Sequence, residues 1–251
     1  MDERLAASES RYEIIDGKVS YVAPADEPHG SRHSKISALL EAYAADGYDV
    51  ASDMLTRTSE KGDMAPDASV FPRARDPQTG GRRLEELAFE VVATERLGHA
   101  AKKARALVAR GVRRVFAIDV ERRRALTWSK GTNTWEILAS ESTIEDPALA
   151  LPLPIRALVD AVRTDDAVAA ALIARNNPVI FEAVRAGEAR GEARGALRGK
   201  TEALIAILNA RGLKVGKKAA QRLRACEDDA QLDAWLARAA TVASVSDLFD
   251  R

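Results

Sequence analysis

Cysteine is nearly absent, with Cys226 the single example. One cysteine excludes a disulfide framework and a cysteine cluster for zinc. Aromatics make up only 5% of the 251 residues, so a core must be largely aliphatic. No run approaches the roughly 18 apolar residues that a membrane span requires. The opening MDERLAASES carries no apolar signal core. Net charge is lacking too, with 38 Lys+Arg against 38 Asp+Glu. These absences favour the cytoplasm and argue against a membrane partner.

What is present suffices for a globular core, since 46% of residues are hydrophobic. The charges are unevenly spread. Between Arg96 and Lys130 there are eleven Lys/Arg and two acids, Asp119 and Glu121, a local balance of +9. A basic segment in a neutral chain suits a polyanion at one face, or an ordinary solvated surface.

Residues 11–22 read as a hairpin around Asp16-Gly17, the dipeptide that tight hairpin turns favour. A Pro/Asp/Gly-containing loop at 23–31 follows. Ser31 is then placed to cap a helix over about 32–45, with Ile36, Leu39, Leu40 and Tyr43 on one face and Gly47 ending it. Strands are expected at about 48–57, 67–71 and 86–93. The helical period returns over 95–110, with Leu97, Ala101, Ala104, Leu107 and Val108 as its stripe and Gly111 as its stop. Further strands are expected at about 113–119, 124–128 and 134–139.

This order implies an α/β or α+β sheet with helices packed on it. From Leu153 onward nothing reads as a strand. We therefore expect a first domain over 1–150 and a helical extension over 151–251. In that extension Gly187, Gly191, Gly195 and Gly199 recur every four residues. They mark either a close helix approach or a weak connector, because each costs a helix about 1 kcal/mol relative to alanine. Beyond them, Leu204, Ile207, Leu208, Leu223, Leu232, Trp235 and Leu236 are the expected core of a small packing or oligomerisation module.

Chemistry concentrates in the first part. Pro66-Asp67 opens a strand, and Glu90 shares a strand face with Ala88 and Val92. A carboxylate on an apolar face needs a cation or a hydrogen-bonding partner. Two carboxylates on neighbouring strands suit a hard divalent ion that also takes water and phosphate oxygens. Lys103, on the following helix and one turn from His99, would supply an ammonium for a phosphate or for the attacking water. Each has a plainer reading: Asp67 as a turn residue, Glu90 on an edge strand, Lys103 as a solvated lysine.

Several segments together resemble the Uma-type putative restriction endonucleases, bacterial members of the PD-(D/E)XK nuclease superfamily. They are YEIIDGKV at 12–19, His33, PDASV at 66–70, FEVVA at 89–93, the spacing from Lys103 to Gly111-Val112, and VFAID at 115–119. The resemblance spans about residues 11–140. It implies a mixed β-sheet flanked by helices and magnesium-dependent cleavage of DNA, with manganese as a substitute ion. It further implies Asp67 and Glu90 as metal ligands, Lys103 as the catalytic lysine, and Glu13 and His33 as supporting residues.

The superfamily places its lysine two residues after the acid, where this chain has Val92. The family's acid and tyrosine around the helical lysine are His99 and Leu107 here. Arg96, Lys102 and Arg105 head the basic segment and are candidate DNA contacts, followed by Arg110, Arg113, Arg114, Arg122, Arg123 and Arg124. Three readings stay open at this point. They are an active endonuclease, paired as a homodimer to cut both strands; a non-catalytic nuclease fold that binds DNA or assembles through its tail; and a scaffold that oligomerises through its helical end.

Overall fold

A computed structural model describes residues 12–15, 17–21, 27–93 and 96–250. Asp16, the first half of the expected turn, and residues 22–26 of the following loop lie outside that set, as does residue 11. The first strands, β1 (Tyr12–Ile15) and β2 (Lys18–Tyr21), pair antiparallel, Ile15 opposite Lys18. Gly17 between them has φ 79°, a conformation that glycine takes without steric cost.

Helix α1 runs Glu27–Tyr43, so it begins before Ser31 rather than after it. Proline is tolerated in a helix's first turn because no intrahelical acceptor waits for its nitrogen there. The Pro28 segment that reads as loop is therefore helix, and His33 stands inside α1, not at its start. Ile36, Leu39, Leu40 and Tyr43 are all buried, as their spacing indicated.

The span expected as one strand over 48–57 is two. Strand β3 (Tyr48–Ser52) ends at Asp53, whose φ of 55° turns the chain out of the sheet. The chain then enters a second sheet through β4 (Thr56–Ser59) and β5 (Gly62–Met64). That sheet has the order β2-β1-β5-β4.

The larger sheet adds β6 (Ala68–Pro72), β7 (Leu87–Val92), β8 (Arg114–Asp119), β9 (Arg124–Ser129) and β10 (Thr134–Ile137) in the order β10-β9-β8-β7-β6-β3. All its pairs are antiparallel except β7 with β8. A parallel pair needs a long crossover, and helix α2 (Leu97–Arg110) supplies it. Gly111 closes α2 at φ 122°, its N–H bonded to the carbonyls of Leu107 and Val108.

Every residue of β7 is buried, and its two faces meet different helices. Leu87, Phe89 and Val91 pack with Ile36, Leu39 and Leu40 of α1. Ala88 packs with Ala104 and Leu107 of α2, and Val92 with Ala100. The fold is thus α+β, with a mixed sheet and a smaller antiparallel one flanked by helices, and a helical C-terminal portion.

The first compact unit extends past the boundary expected near 150, to Asn176. A short pair, β11 (Thr143–Ile144) with β12 (Leu153–Pro154), crosses that boundary. Helices α3 (Ile155–Val159) and α4 (Ala161–Ala174) then bury Ile155, Ala157, Leu158, Ala167 and Ala171 in the main core.

The second unit, residues 177–251, holds α5 (Pro178–Ala210), α6 (Lys217–Arg224) and α7 (Asp229–Ala239). Its core is Leu204, Leu208, Leu223, Leu232, Trp235, Ala239 and Leu248, with Leu236 partly buried against it. Ile207, expected in this core, is 37% exposed instead.

Candidate active site

Strand register brings the acids together. Ser52 of β3 pairs with Ala68 of β6, and Ala68 pairs with Phe89 of β7. One step further along, Asp53, Asp67 and Glu90 stand abreast at the same end of three adjacent strands. Asp53 is locked to its neighbour by its own N–H, which donates to the carbonyls of Pro66 (3.1 Å) and Asp67 (3.3 Å). The N–H of Val91 donates to Asp67 Oδ2 at 2.6 Å, fixing that carboxylate beside Glu90.

Glu90 and Lys103 form the buried heart of the site. Lys103 Nζ lies 2.8 Å from Glu90 Oε2 and 2.9 Å from Glu13 Oε1, and donates to the Ala65 carbonyl at 2.8 Å. Glu13 Oε1 also accepts from the N–H of Ala65 at 3.0 Å, tying the smaller sheet to the site. An ammonium has three N–H donors, and here each faces an acceptor within the protein.

Burial opposes charge on Lys103, but Glu90, Glu13 and Asp67 outweigh it and hold the ammonium above its ordinary pKa. Burial pushes the Glu90 carboxyl up to about 8, against the pull of Lys103 and with Asp67 and Glu13 adding to the rise. Glu90 Oε1 is buried and has no hydrogen-bond partner among the described residues.

The sequence's departures from the lysine pattern have a structural basis. Val92 is buried against Ala100, Ala117 and Leu126, an apolar position. Leu107 packs with Ala88, Val112 and Val115, and His99 is exposed. The ammonium therefore arrives from α2 and not from the strand position two residues after Glu90.

From the opposite face of the sheet, α1 contributes two imidazoles one turn apart, His29 and His33, with ring centroids separated by 6.5 Å. His29 Nε2 is 3.7 Å from Asp67 Oδ2, and His33 Nε2 is 3.5 Å from Asp53 Oδ1. Asp53 raises the His33 imidazole above its ordinary pKa, with burial opposing and Asp67 reinforcing the rise. A hydrogen bond of 2.8 Å between the hydroxyls of Ser37 and Ser52 ties α1 to the end of β3 below them. One donor atom each from His33, Asp53 and Asp67 lie within 4.8 Å of one another.

The structure thus brings Asp67, Glu90, Lys103, Glu13 and His33 into one place, and adds His29 and Asp53, which sequence reasoning missed. His29 had a signal in the four-residue spacing to His33, in a chain with only three histidines. Asp53 had none, because its role depends on a left-handed backbone and on pairing with a distant segment.

The basic segment divides. Arg113 bonds Glu86 and Asp146, Arg114 bonds Asp146, and Arg124 bonds Asp119 at 2.9 Å. Arg123 pairs with Asp160, and Arg110 donates to the Arg57 carbonyl. Of these, Arg113, Arg114 and Arg124 compensate the buried carboxylates of Asp146 and Asp119. Arg96, Lys102 and Arg105 are exposed along α2 and its N-terminus.

A mixed sheet with acids at adjacent strand ends, joined by a lysine from the crossover helix, is a nuclease-type α+β architecture. The chain belongs to the Uma2 family, described as putative restriction endonucleases, whose model matches residues 2–158. A similar solved structure is that of a putative nuclease belonging to DUF820 from Anabaena variabilis ATCC 29413. It is 17% identical, with a TM-score of 0.52, and the match covers 63% of this chain and 96% of that one. At that identity the likeness establishes the fold. A search among curated proteins finds no match.

Proposed function

We propose that the chain is a divalent-metal-dependent endodeoxyribonuclease of the PD-(D/E)XK type, with Asp67 and Glu90 as ligands of a magnesium ion and manganese as a substitute. The observation that carries this reading is the convergence of Asp67, Glu90 and Lys103 at one end of the sheet. The donor set fits such an ion: two carboxylates on paired strands offer hard oxygens, and the buried Glu90 Oε1 has no hydrogen-bond partner among the described residues. When bound, the ion would stabilise charge on the phosphodiester and lower the pKa of an attacking water.

The chain's own residues do the rest. Val91 N–H fixes Asp67, and Lys103 grips Glu90 Oε2, so that Oε1 is the oxygen that would hold the ion. Because its three donors face Glu90, Glu13 and the Ala65 carbonyl, Lys103 acts as a positioning residue that holds Glu90 Oε2 in place and opposes the rise that burial imposes on its pKa. Arg96, Lys102 and Arg105 would meet the phosphate backbone, each true contact adding about 0.9 to the salt slope of binding.

The same saturation of Lys103 favours a second reading, a non-catalytic nuclease fold that binds DNA. Incubation of supercoiled plasmid with and without magnesium separates the two. Cleavage should require the ion and fall in Asp67→Ala and Glu90→Ala by more than the roughly 10–100-fold that loss of an outer-shell partner costs. A homodimer with two such sites yields linear plasmid, whereas a single copy yields nicked circles. Cleavage that survives both substitutions removes this site from the reaction. Magnesium-dependent DNA binding without cleavage establishes the second reading.

A further inference from the structure

We propose that His33, Asp53 and Asp67 form a metal position of their own, with an imidazole ligand, that takes a first-row transition ion in preference to magnesium. It shares Asp67 with the Asp67–Glu90 pair, and rests on the nuclease reading only through that residue.

The geometry comes first. An ion about 2.0–2.2 Å from nitrogen and oxygen donors needs those donors no more than about 4.4 Å apart. His33 Nε2 and Asp53 Oδ1 are 3.5 Å apart, and the donor atoms of His33, Asp53 and Asp67 all fall within 4.8 Å. Closing that set around one ion takes shifts of a few tenths of an ångström, within the reach of half-buried side chains.

The second observation is independent. His33 Nε2 is shielded from solvent and makes no hydrogen bond among the described residues, although a carboxylate stands beside it. A buried polar nitrogen without a partner is costly. Nε2 lies 3.5 Å from Asp53 Oδ1, in a donor set that Asp67 completes, so a cation that displaces its proton would find a ligand there.

This position is not the Glu90 site under another name. His33 belongs to α1, on the face of β7 lined by Leu87, Phe89 and Val91. Glu90 lies on the other face, with Ala88 and Val92, and Lys103 occupies its Oε2. Asp67 stands between them and has one carboxylate for both sides. The two positions also differ in chemistry. Two carboxylates suit magnesium, whereas imidazole shifts preference towards the transition metals, whose affinity for mixed nitrogen and oxygen sites rises from manganese onward.

Manganese is the practical probe, because its electron spin reports nitrogen in its first shell. The full chain, stripped with chelator, would be titrated with Mn2+ and measured by pulsed electron paramagnetic resonance, without DNA. The expected result is nitrogen modulation from one bound ion that persists in excess magnesium, in Glu90→Gln and in His29→Gln. It should vanish in His33→Gln, with Mn2+ affinity falling about tenfold or more. Growth on 15N-histidine should move the modulation to the 15N frequency, a readout that leaves the sequence untouched.

Bound Mn2+ without nitrogen modulation, modulation that survives His33→Gln, or no Mn2+ binding would each overturn the proposal. An imidazolium paired with Asp53 gives the last of these. The outcomes are separable from the nuclease reading. Nitrogen-coupled Mn2+ in a chain that cuts no DNA would uphold this position and sink the activity. Glu90-dependent cleavage with no nitrogen coupling would do the reverse.

Discussion

Lys103 carries the clearest single-residue consequence of this site. It is a buried cation shared by two buried acids, and its removal leaves Glu90 and Glu13 facing each other without compensation. Breaking a buried pair from one side typically costs about 3–5 kcal/mol, far more than the pair's net worth. Lys103→Met should therefore destabilise the chain by about that amount in chemical denaturation, and adding Glu13→Gln should restore part of it. A cost below about 1 kcal/mol would mean that the ammonium does not compensate the acids. Residues of this kind were legible in the sequence. Glu90 announced itself by Ala88 and Val92 on its own face, whereas Asp67, by itself a turn residue after proline, was marked by the family resemblance of Pro66-Asp67. Asp53 could not be read this way. It acquires its position from a φ of 55° and from the pairing of Ser52 with Ala68, neither of which leaves a local pattern.

At the scale of elements, periodicity located cores better than boundaries. The apolar faces of α1 and α2 were readable because burial repeats with the helical period. The start of α1 was not, since Pro28 and Gly30 look like loop and sit within the helix. The long strand over 48–57 was misread because β-rich composition runs on across the turn at Asp53 into a different sheet. The glycine row of α5 is the most testable element. The helix continues through Gly187, Gly191, Gly195 and Gly199, and a Cβ added at any of them meets nothing within 4 Å. Replacing glycine with alanine in an exposed helix interior gains about 0.5–1 kcal/mol each. The four substitutions together should raise the unfolding free energy of α5 in hydrogen exchange on the full chain. A neutral or destabilising result would show that something outside the chain packs against that row.

For the whole molecule, the end of the first compact unit at Asn176 and the change from strands to helices near residue 150 fall at different places. Secondary-structure content changes there, but the hydrophobic core does not. Leu153, Ile155, Ala157, Leu158, Ala167 and Ala171 all lie in the cluster that includes Leu39, Phe89 and Phe116. Two anchors hold this segment to α1: Arg32 donates to the Val159 carbonyl and Arg175 to the Ala42 carbonyl. The second unit has its own core, built around Leu204, Leu208 and Trp235. Truncation distinguishes the two boundaries. A chain ending after Asn176 keeps the first core entire and should unfold in one cooperative transition, with the site residues in place. A chain ending at 150 loses three large buried aliphatic side chains, Leu153, Ile155 and Leu158. Each such loss costs about 2–5 kcal/mol, against a total stability of about 5–15 kcal/mol for an ordinary domain. It should therefore show no cooperative melt by circular dichroism. A cooperative transition in the shorter chain would return the boundary to where composition alone put it, and would make α3 and α4 dispensable decoration.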